Sequence, residues 1–307
     1  MIISSKILIT EYRVSFLKTK HKYAIKRIFR TERSNIAVYL MLSPMVILAV
    51  LPILYIVFTA FKPMGELFAY PPKFITTRPT FDNFTKLFEA SENTVFPLSM
   101  YLFNSIVSTV SVVVLGMFVS LSAAFVLSKK RFRGRQLIFK MNTLSMMFVA
   151  TAVSIPRYLI VKEVGLLDTF FANIVPLLAA PISVFLLKQF VDQLPDALIE
   201  SARIDGANDY QILFKIIMPL VKSALATVAI LLFQNAWNSM EASNLFITTE
   251  SYKTFAFYMH SLSAAGNGVA GAGMAAAAAL LMFVPNVVLF VSMQSRVMST
   301  MAHSGLK

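Results

Sequence analysis

Six long apolar stretches separated by short polar segments dominate the pattern of this 307-residue chain. They lie at roughly 36–61, 101–128, 136–160, 171–191, 222–240 and 274–294. A hydrocarbon core of about 30 Å needs about 20 apolar residues in a helix, so each stretch is long enough to cross a bilayer. The first holds Pro44 and Pro52, which membrane helices tolerate because packed neighbours satisfy the freed carbonyls. It follows a long basic segment and lacks a small-x-small cleavage site, the pattern of a retained signal-anchor. The pattern predicts an all-α integral membrane protein with six transmembrane helices. Its parts are a basic N-terminal segment, 1–35, a six-span domain, 36–294, and a tail, 295–307.

Composition agrees. The chain is 57% hydrophobic and 14% charged, whereas a soluble domain carries about a quarter charged residues. With no cysteine, disulfides, thiolate metal sites and cysteine nucleophiles are excluded. His21, His260 and His303 are far apart and lack ligand-like spacing, which argues against a zinc site.

The net charge of +13 changes the picture only through its distribution. Lys6, Arg13, Lys18, Lys20, Lys22, Lys26, Arg27, Arg30 and Arg33 face only Glu11 and Glu32 within residues 1–35, and Lys129-Lys130-Arg131-Phe132-Arg133-Gly134-Arg135 contains no acid. Basic clusters flanking apolar spans set topology and contact anionic lipid headgroups; no nucleic-acid partner is implied. Residues 62–100 are balanced and 241–273 carry only Lys253 as a base, so both termini are expected to be cytoplasmic. By parity the 192–221 loop is then cytoplasmic too, although it holds Asp192, Asp196, Glu200, Asp205 and Asp209. Acids contribute little to topology, so this loop has another task.

Its residues spell two short helices at an angle. Pro195 suits the first turn of a helix, and Asp196 and Glu200 complement the positive end of its dipole. Gly206 fits the left-handed stop. Asn208 and Gln211 have capping-box spacing for a second helix. Ile212, Leu213, Ile216 and Ile217 give that helix an apolar face, and Pro219 limits its extension. Apolar side chains with no lipid to enter are expected to dock a cytoplasmic partner.

Glu200-Ser201-Ala202-Arg203-Ile204-Asp205-Gly206-Ala207 resembles the EAA motif of ABC-importer permeases. Gly206, Ile216, Met218 and Pro219 match its wider pattern of glycine, nine residues, isoleucine, one residue, leucine-proline. Ser201 replaces the usual alanine and Met218 the usual leucine, both small changes in volume. Further segments are similar to the carbohydrate-uptake branch and its maltose-system MalG-type permease: Pro79–Phe84, Asn104-Ser105, Ser128–Arg135, Gly165–Thr169, Ala236-Trp237-Asn238 and the ending Gly305-Leu306-Lys307. The resemblance runs from about residue 40 to the end.

It implies a type I importer permease in a prokaryotic inner membrane, with 192–221 as the coupling helix–turn–helix seated in an ATPase groove. Glu200, Ser201, Ala202, Asp205, Gly206, Ala207, Ile216 and Pro219 would then carry the coupling. The implied partners are a second homologous permease, two ATPase subunits, an extracytoplasmic solute-binding protein and a sugar or oligosaccharide. The chain has no G-x-x-x-x-G-K-[ST] loop, so ATP and Mg would sit on the partner ATPase, with no cofactor or catalytic residue here.

Polar residues within spans are costly and face a pathway or another helix. Gln234, Asn238 and Glu241, at i, i+4 and i+7 with Asn235 beside them, read as one helical face: a pathway wall for a hydroxyl-rich solute, or polar glue between helices. Arg157 either snorkels to the interface or meets an anionic solute. Gly266, Gly268, Gly271, Gly273 and Ala275–Ala279 favour close helix packing. The competing functions are a permease for another solute such as a polyamine or phosphate, a membrane-embedded enzyme, and a stand-alone carrier. No acid–base or nucleophile cluster supports the enzyme, and no internal repeat supports the carrier.

Overall fold

A computed structural model describes residues 36, 38–92, 96–265 and 269–304, and no strand occurs among them. The basic segment 1–35, Gly266, Gly268 and the last three residues lie outside the described residues. The chain divides into two compact units, Met1–Ile56 and Val57–Lys307. The first contributes most of α1 (Val38–Ala60), which runs unbroken through Pro44 and Pro52.

The second unit holds α2 (Met64–Leu67), α3 (Asp82–Glu92), α4 (Leu98–Lys129), α5 (Arg135–Ser145), α6 (Ser154–Glu163), α7 (Val175–Leu178) and α8 (Pro181–Asp192). It continues with α9 (Asp196–Ile204), α10 (Asp209–Gln211), α11 (Met218–Leu220), α12 (Lys222–Trp237), α13 (Glu241–Leu245), α14 (Phe255–Ala265) and α15 (Val269–Ser304). Helix α15 carries the sixth apolar stretch and continues into the segment assigned to the tail.

Among the described residues, α1, α4 and the Gly271–Gln294 part of α15 are each long and apolar enough to cross a membrane. Counting each of three bent helix pairs as one span raises the number to as many as six. All six apolar stretches are thus mainly helical, but the third, fourth and fifth belong to bent pairs. The third bends by 114° between Arg135–Ser145 and Ala150–Glu163. Helix α5 ends in Asn142, Thr143 and Ser145, whose side chains compete for backbone partners. Thr143 donates to the Phe139 carbonyl at 3.0 Å and Ser145 to that of Asn142 at 2.7 Å. The fourth bends by 40° just before Pro181, which excludes helical geometry at Ala180 (φ −111°, ψ 82°). The fifth meets the preceding Asp209–Leu220 segment at 88°, two residues beyond Pro219.

Helix α4 runs through the main core. Its Val112, Leu121, Ala124 and Phe125 pack with Leu187 and Val191 of α8 and with Ala224, Leu225, Val228 and Leu232 of α12. A Cβ on Gly116 would stand 3.0 Å from Leu232 Cδ1, so the glycine sets how closely α4 and α12 approach. A second cluster joins Ala276, Ala277 and Ala278 of α15 to Trp237, Phe255, Tyr258 and Leu87. The small residues entering the sixth span therefore serve packing, as their spacing predicts. The Trp237 indole N–H donates to the Met282 carbonyl at 3.1 Å, fastening α12 to α15.

Asn83 closes the end of α1. Its amide donates to the carbonyls of Ala60 at 2.9 Å and Lys62 at 2.8 Å, groups that the helix end leaves unsatisfied. A Cβ on Gly273 would collide with the Asn83 side chain and with Leu67 Cδ1 at 2.8 Å. Gly273→Ala is therefore expected to destabilise the protein by about 1–3 kcal/mol, the usual cost of overpacking. A lower melting temperature of the detergent-solubilised protein is the expected reading, and an unchanged one would show that Asn83 moves without cost.

Candidate coupling loop and polar face

The loop between the fourth and fifth apolar stretches folds from its own local signals. Pro195 stands at the N-cap of α9 (φ −60°, ψ 134°) rather than inside its first turn, and Asp196 is the first helical residue. Gly206 takes φ +83°. The Gly206 N–H donates to Arg203 at 3.0 Å and the Ala207 N–H to Ala202 at 2.9 Å, the paired bonds of a Schellman stop. Asn208 and Gln211 then form the capping box, with both bonds at 2.9 Å. Ile212–Ile217 winds as a π-helix and passes through α11 to Leu220.

The apolar face of the second helix does not form the docking surface expected of it. Ile212, Leu213 and Ile217 are buried and Ile216 is half-buried, in the cluster that contains α4, α8 and α12. Ile199 and Ala202 join them, and Ala207 packs at the edge. Periodicity identifies a face that avoids water but not its partner, and here the partner is the chain's own core. The outward surface is the other one: Glu200, Ser201, Asp205, Gly206 and Pro219 are exposed, with Ile204 at 86% and Tyr210 at 71%. Ile204 and Tyr210 were missed as candidates. Their signal is that each is large, apolar and off the buried stripe.

The five acids of the loop separate into two groups. Lys188 pairs with Asp192 at 2.5 Å, Lys129 with Asp196 at 2.7 Å and Lys130 with Asp209 at 2.6 Å, while Arg203 approaches Asp209 at 3.5 Å. The hydrogen bond from Lys129, then its charge, holds the Asp196 carboxyl below its ordinary pKa; the bond from Lys130 does the same for Asp209. Among the described residues, Glu200 and Asp205 make no ion pair and no side-chain hydrogen bond. Both face outward.

The residues read as a polar stripe do not form one helical face. Helix α12 ends at Trp237, Asn238 is its C-cap, and Glu241 opens α13. Sequence spacing assumed a continuous helix, and the chain turns there instead. Gln234, Asn235 and Asn238 are exposed within the chain. Asn238 donates to the Gln234 carbonyl at 2.8 Å and accepts at 3.4 Å from Asn286 of α15. Asn286, which directly follows Pro285 in an apolar helix, was not singled out from sequence; an amide within a span was the available signal. Glu241 pairs with Arg157 at 2.5 Å, both side chains partly exposed. One buried oxygen of Glu241 and that of Asn286 have no partner among the described residues.

Residues 34–295 match the model of the binding-protein-dependent transport system inner membrane component. The chain belongs to this family. It is 29% identical over 276 residues to the inner membrane ABC transporter permease protein YcjP of Escherichia coli, covering 89% of this chain and 97% of that protein. It is 28% identical over 266 residues to the arabinooligosaccharides transport system permease protein AraQ of Halalkalibacterium halodurans, with coverage of 85% and 92%. A chain in the crystal structure of a bacterial ABC transporter involved in import of the acidic polysaccharide alginate shares its fold, with a TM-score of 0.73, 23% identity, and coverage of 85% and 95%.

Within this permease the weakly conspicuous segments of the sequence are fastenings. Asn104 donates to the Ser251 and Lys253 carbonyls at 2.7 and 3.0 Å, and the Phe255 N–H donates to Ser105 at 2.8 Å. Asp168, at φ 53°, accepts from the Thr248 and Thr249 amides at 3.0 and 2.7 Å and from the Thr249 hydroxyl at 2.8 Å. These bonds, led by that of the Thr249 amide, lower its pKa to about 2. A depressed carboxyl pKa stabilises the folded state fully above the unfolded value, and that contribution is lost as pH falls through the folded one. Protection of the Thr248 and Thr249 amides from hydrogen exchange is therefore expected to disappear between about pH 4 and pH 2. Asp168→Asn keeps a residue that tolerates positive φ and removes the charge. It is expected to speed exchange at those two amides about tenfold at neutral pH; unchanged exchange would deny the clasp its charge.

Proposed function

We propose that this permease forms half of the translocation pathway of an ATP-driven sugar or oligosaccharide importer. Its partners in this reading are a second permease, two ATPase subunits that bind ATP and Mg, and an extracytoplasmic binding protein. Both termini and the 192–221 loop lie in the cytoplasm. The observation that carries the coupling role is the division of the loop's acids: three are used internally, while Glu200 and Asp205 are left outward beside Ile204 and Tyr210. A rigid surface with unspent carboxylates and two large apolar side chains fits a groove on a protein partner.

The cargo reading is supported by the amides Gln234, Asn235, Asn238 and Asn286, which suit sugar hydroxyls. AraQ, whose name cites arabinooligosaccharides, is a relative. Arg157 is paired with Glu241 through one guanidinium nitrogen, which balances its charge within the chain, and a neutral saccharide is the reading put to test. The test is ATP hydrolysis by the reconstituted complex with its binding protein. Arabinotriose, xylotriose and diacetylchitobiose form one panel; trigalacturonate, glycerol 3-phosphate and spermidine form the other. Stimulation only by the second panel would overturn the neutral-sugar reading.

Gly206→Pro, which destroys the left-handed stop, and Asp205→Lys are each expected to cut substrate-stimulated hydrolysis roughly tenfold, within the about 5- to 150-fold span of typical site–site coupling. The protein should still insert. Normal stimulation in both variants would remove the coupling role. Replacing Gln234 and Asn238 by leucine is expected to lower saccharide uptake severalfold, because each lost hydrogen bond to a hydroxyl is worth about 1 kcal/mol. Uptake and specificity equal to wild type would assign these amides to packing.

A further inference from the structure

The basic run that ends α4 does more than mark a cytoplasmic loop. Lys129 is its last helical residue, and only 6% of that side chain is exposed. Its ammonium donates to the Leu194 carbonyl at 2.6 Å and to Asp196 at 2.7 Å, at the start of α9. The next residue, Lys130, donates at 2.6 Å to Asp209, the first residue of α10. Two consecutive lysines thus hold the first residue of each helix in the loop. Ser128 adds a bond to the Lys188 carbonyl at 3.4 Å.

The arrangement favours transmission of force. Each aspartate already suits a helix N-terminus, and the lysines convert those two ends into anchor points on α4. Helix α4 has 32 residues, a rod of about 48 Å, and it packs along α8 and α12. A displacement of the loop cannot leave the end of α4 behind without separating Lys129 from both of its acceptors: the Asp196 side chain is 71% exposed, but the enclosed lysine would lose the Leu194 carbonyl as well. The covalent route from the loop enters α12 through the sharp bend at Val221. The ionic route enters an unbroken helix.

We propose that Lys129 and Lys130 are positioning residues of the coupling machinery, making the second span move with the 192–221 loop as a route into the membrane separate from α12. This rests on the coupling role proposed for that loop. Topology alone would need the positive charges but no particular partners for them.

The test uses the full complex with its binding protein and the panel oligosaccharide that stimulates wild type most. Lys130→Asp is expected to lower sugar moved per ATP roughly tenfold while the ATPase still co-purifies. Asp209→Asn, which keeps a residue suited to a helix start and removes the ion pair, should lower it similarly. Lys129→Met should fall likewise, and Lys129→Arg should recover part of the loss, since arginine keeps the charge and its donors. Arg133→Asp makes the same charge change in the same loop without touching the clasp and should leave the ratio at the wild-type value. Equal loss in Arg133→Asp, a normal ratio in Lys130→Asp, or a normal ratio in Asp209→Asn would each overturn the proposal. If Lys129→Met fails to assemble, the Lys130 and Asp209 variants, at more exposed positions, decide. Asp205→Lys separates the two readings. Uncoupling there with intact lysine variants removes only the clasp, whereas normal coupling there and in Gly206→Pro removes the role of the loop.

Discussion

In lipid a backbone N–H or C=O has no water to turn to, so every departure from helix must be satisfied from within the protein. This chain departs from helix often, within three of its six apolar stretches and in the segments between them. The responses are short polar side chains aimed at exposed backbone. Asn83 takes the carbonyls at the end of α1, Asn104 those of Ser251 and Lys253, and Asn173 that of Tyr252. Asn142 reaches the carbonyl of Pro181 where the fourth stretch bends, and Asp168 collects two amides. The packed aliphatic core between α4, α8 and α12 depends on these fastenings, because without them the bends that bring the helices together would carry orphaned polar groups.

The same economy governs charge. A basic loop and an acidic loop, far apart in sequence, meet at one end of α4 through two ion pairs. An ion pair on an open surface contributes little, but Lys129 is nearly enclosed and has two acceptors, so that contact fixes geometry. What is left after this pairing is informative. Glu200 and Asp205 remain outward, and in the middle of the chain Arg157 is already matched by Glu241.

Much of this was legible from sequence where the deciding interactions are local. The apolar stretches, the left-handed Gly206 and the Asn208–Gln211 capping box need only neighbours a few residues away. The resemblance of residues 200–219 to the EAA motif led to the right family. What depended on distant partners was not legible. The Ile212–Ile217 face was read as a docking surface because nothing in the pattern reveals that α4 and α8 cover it. Glu241 was placed on the face of Gln234 because helix continuation past Trp237 was assumed, although an asparagine at 238 is itself a stop signal. The lysines of the 129–135 run were assigned to topology, since pairs separated by 67 and 79 residues leave no local trace.

One feature of the loop bears on how such a transporter changes over time. In the coupling role proposed for it, the side that holds Ile199, Ala202, Ile212, Leu213 and Ile217 is consumed in the chain's own core and takes no part in recognising a motor. Recognition would fall to outward side chains such as Glu200, Ile204, Asp205 and Tyr210. Surface substitutions alone would then retarget the permease to another ATPase, or let permeases with different cargo draw on a common one. No helix in the membrane would have to be repacked.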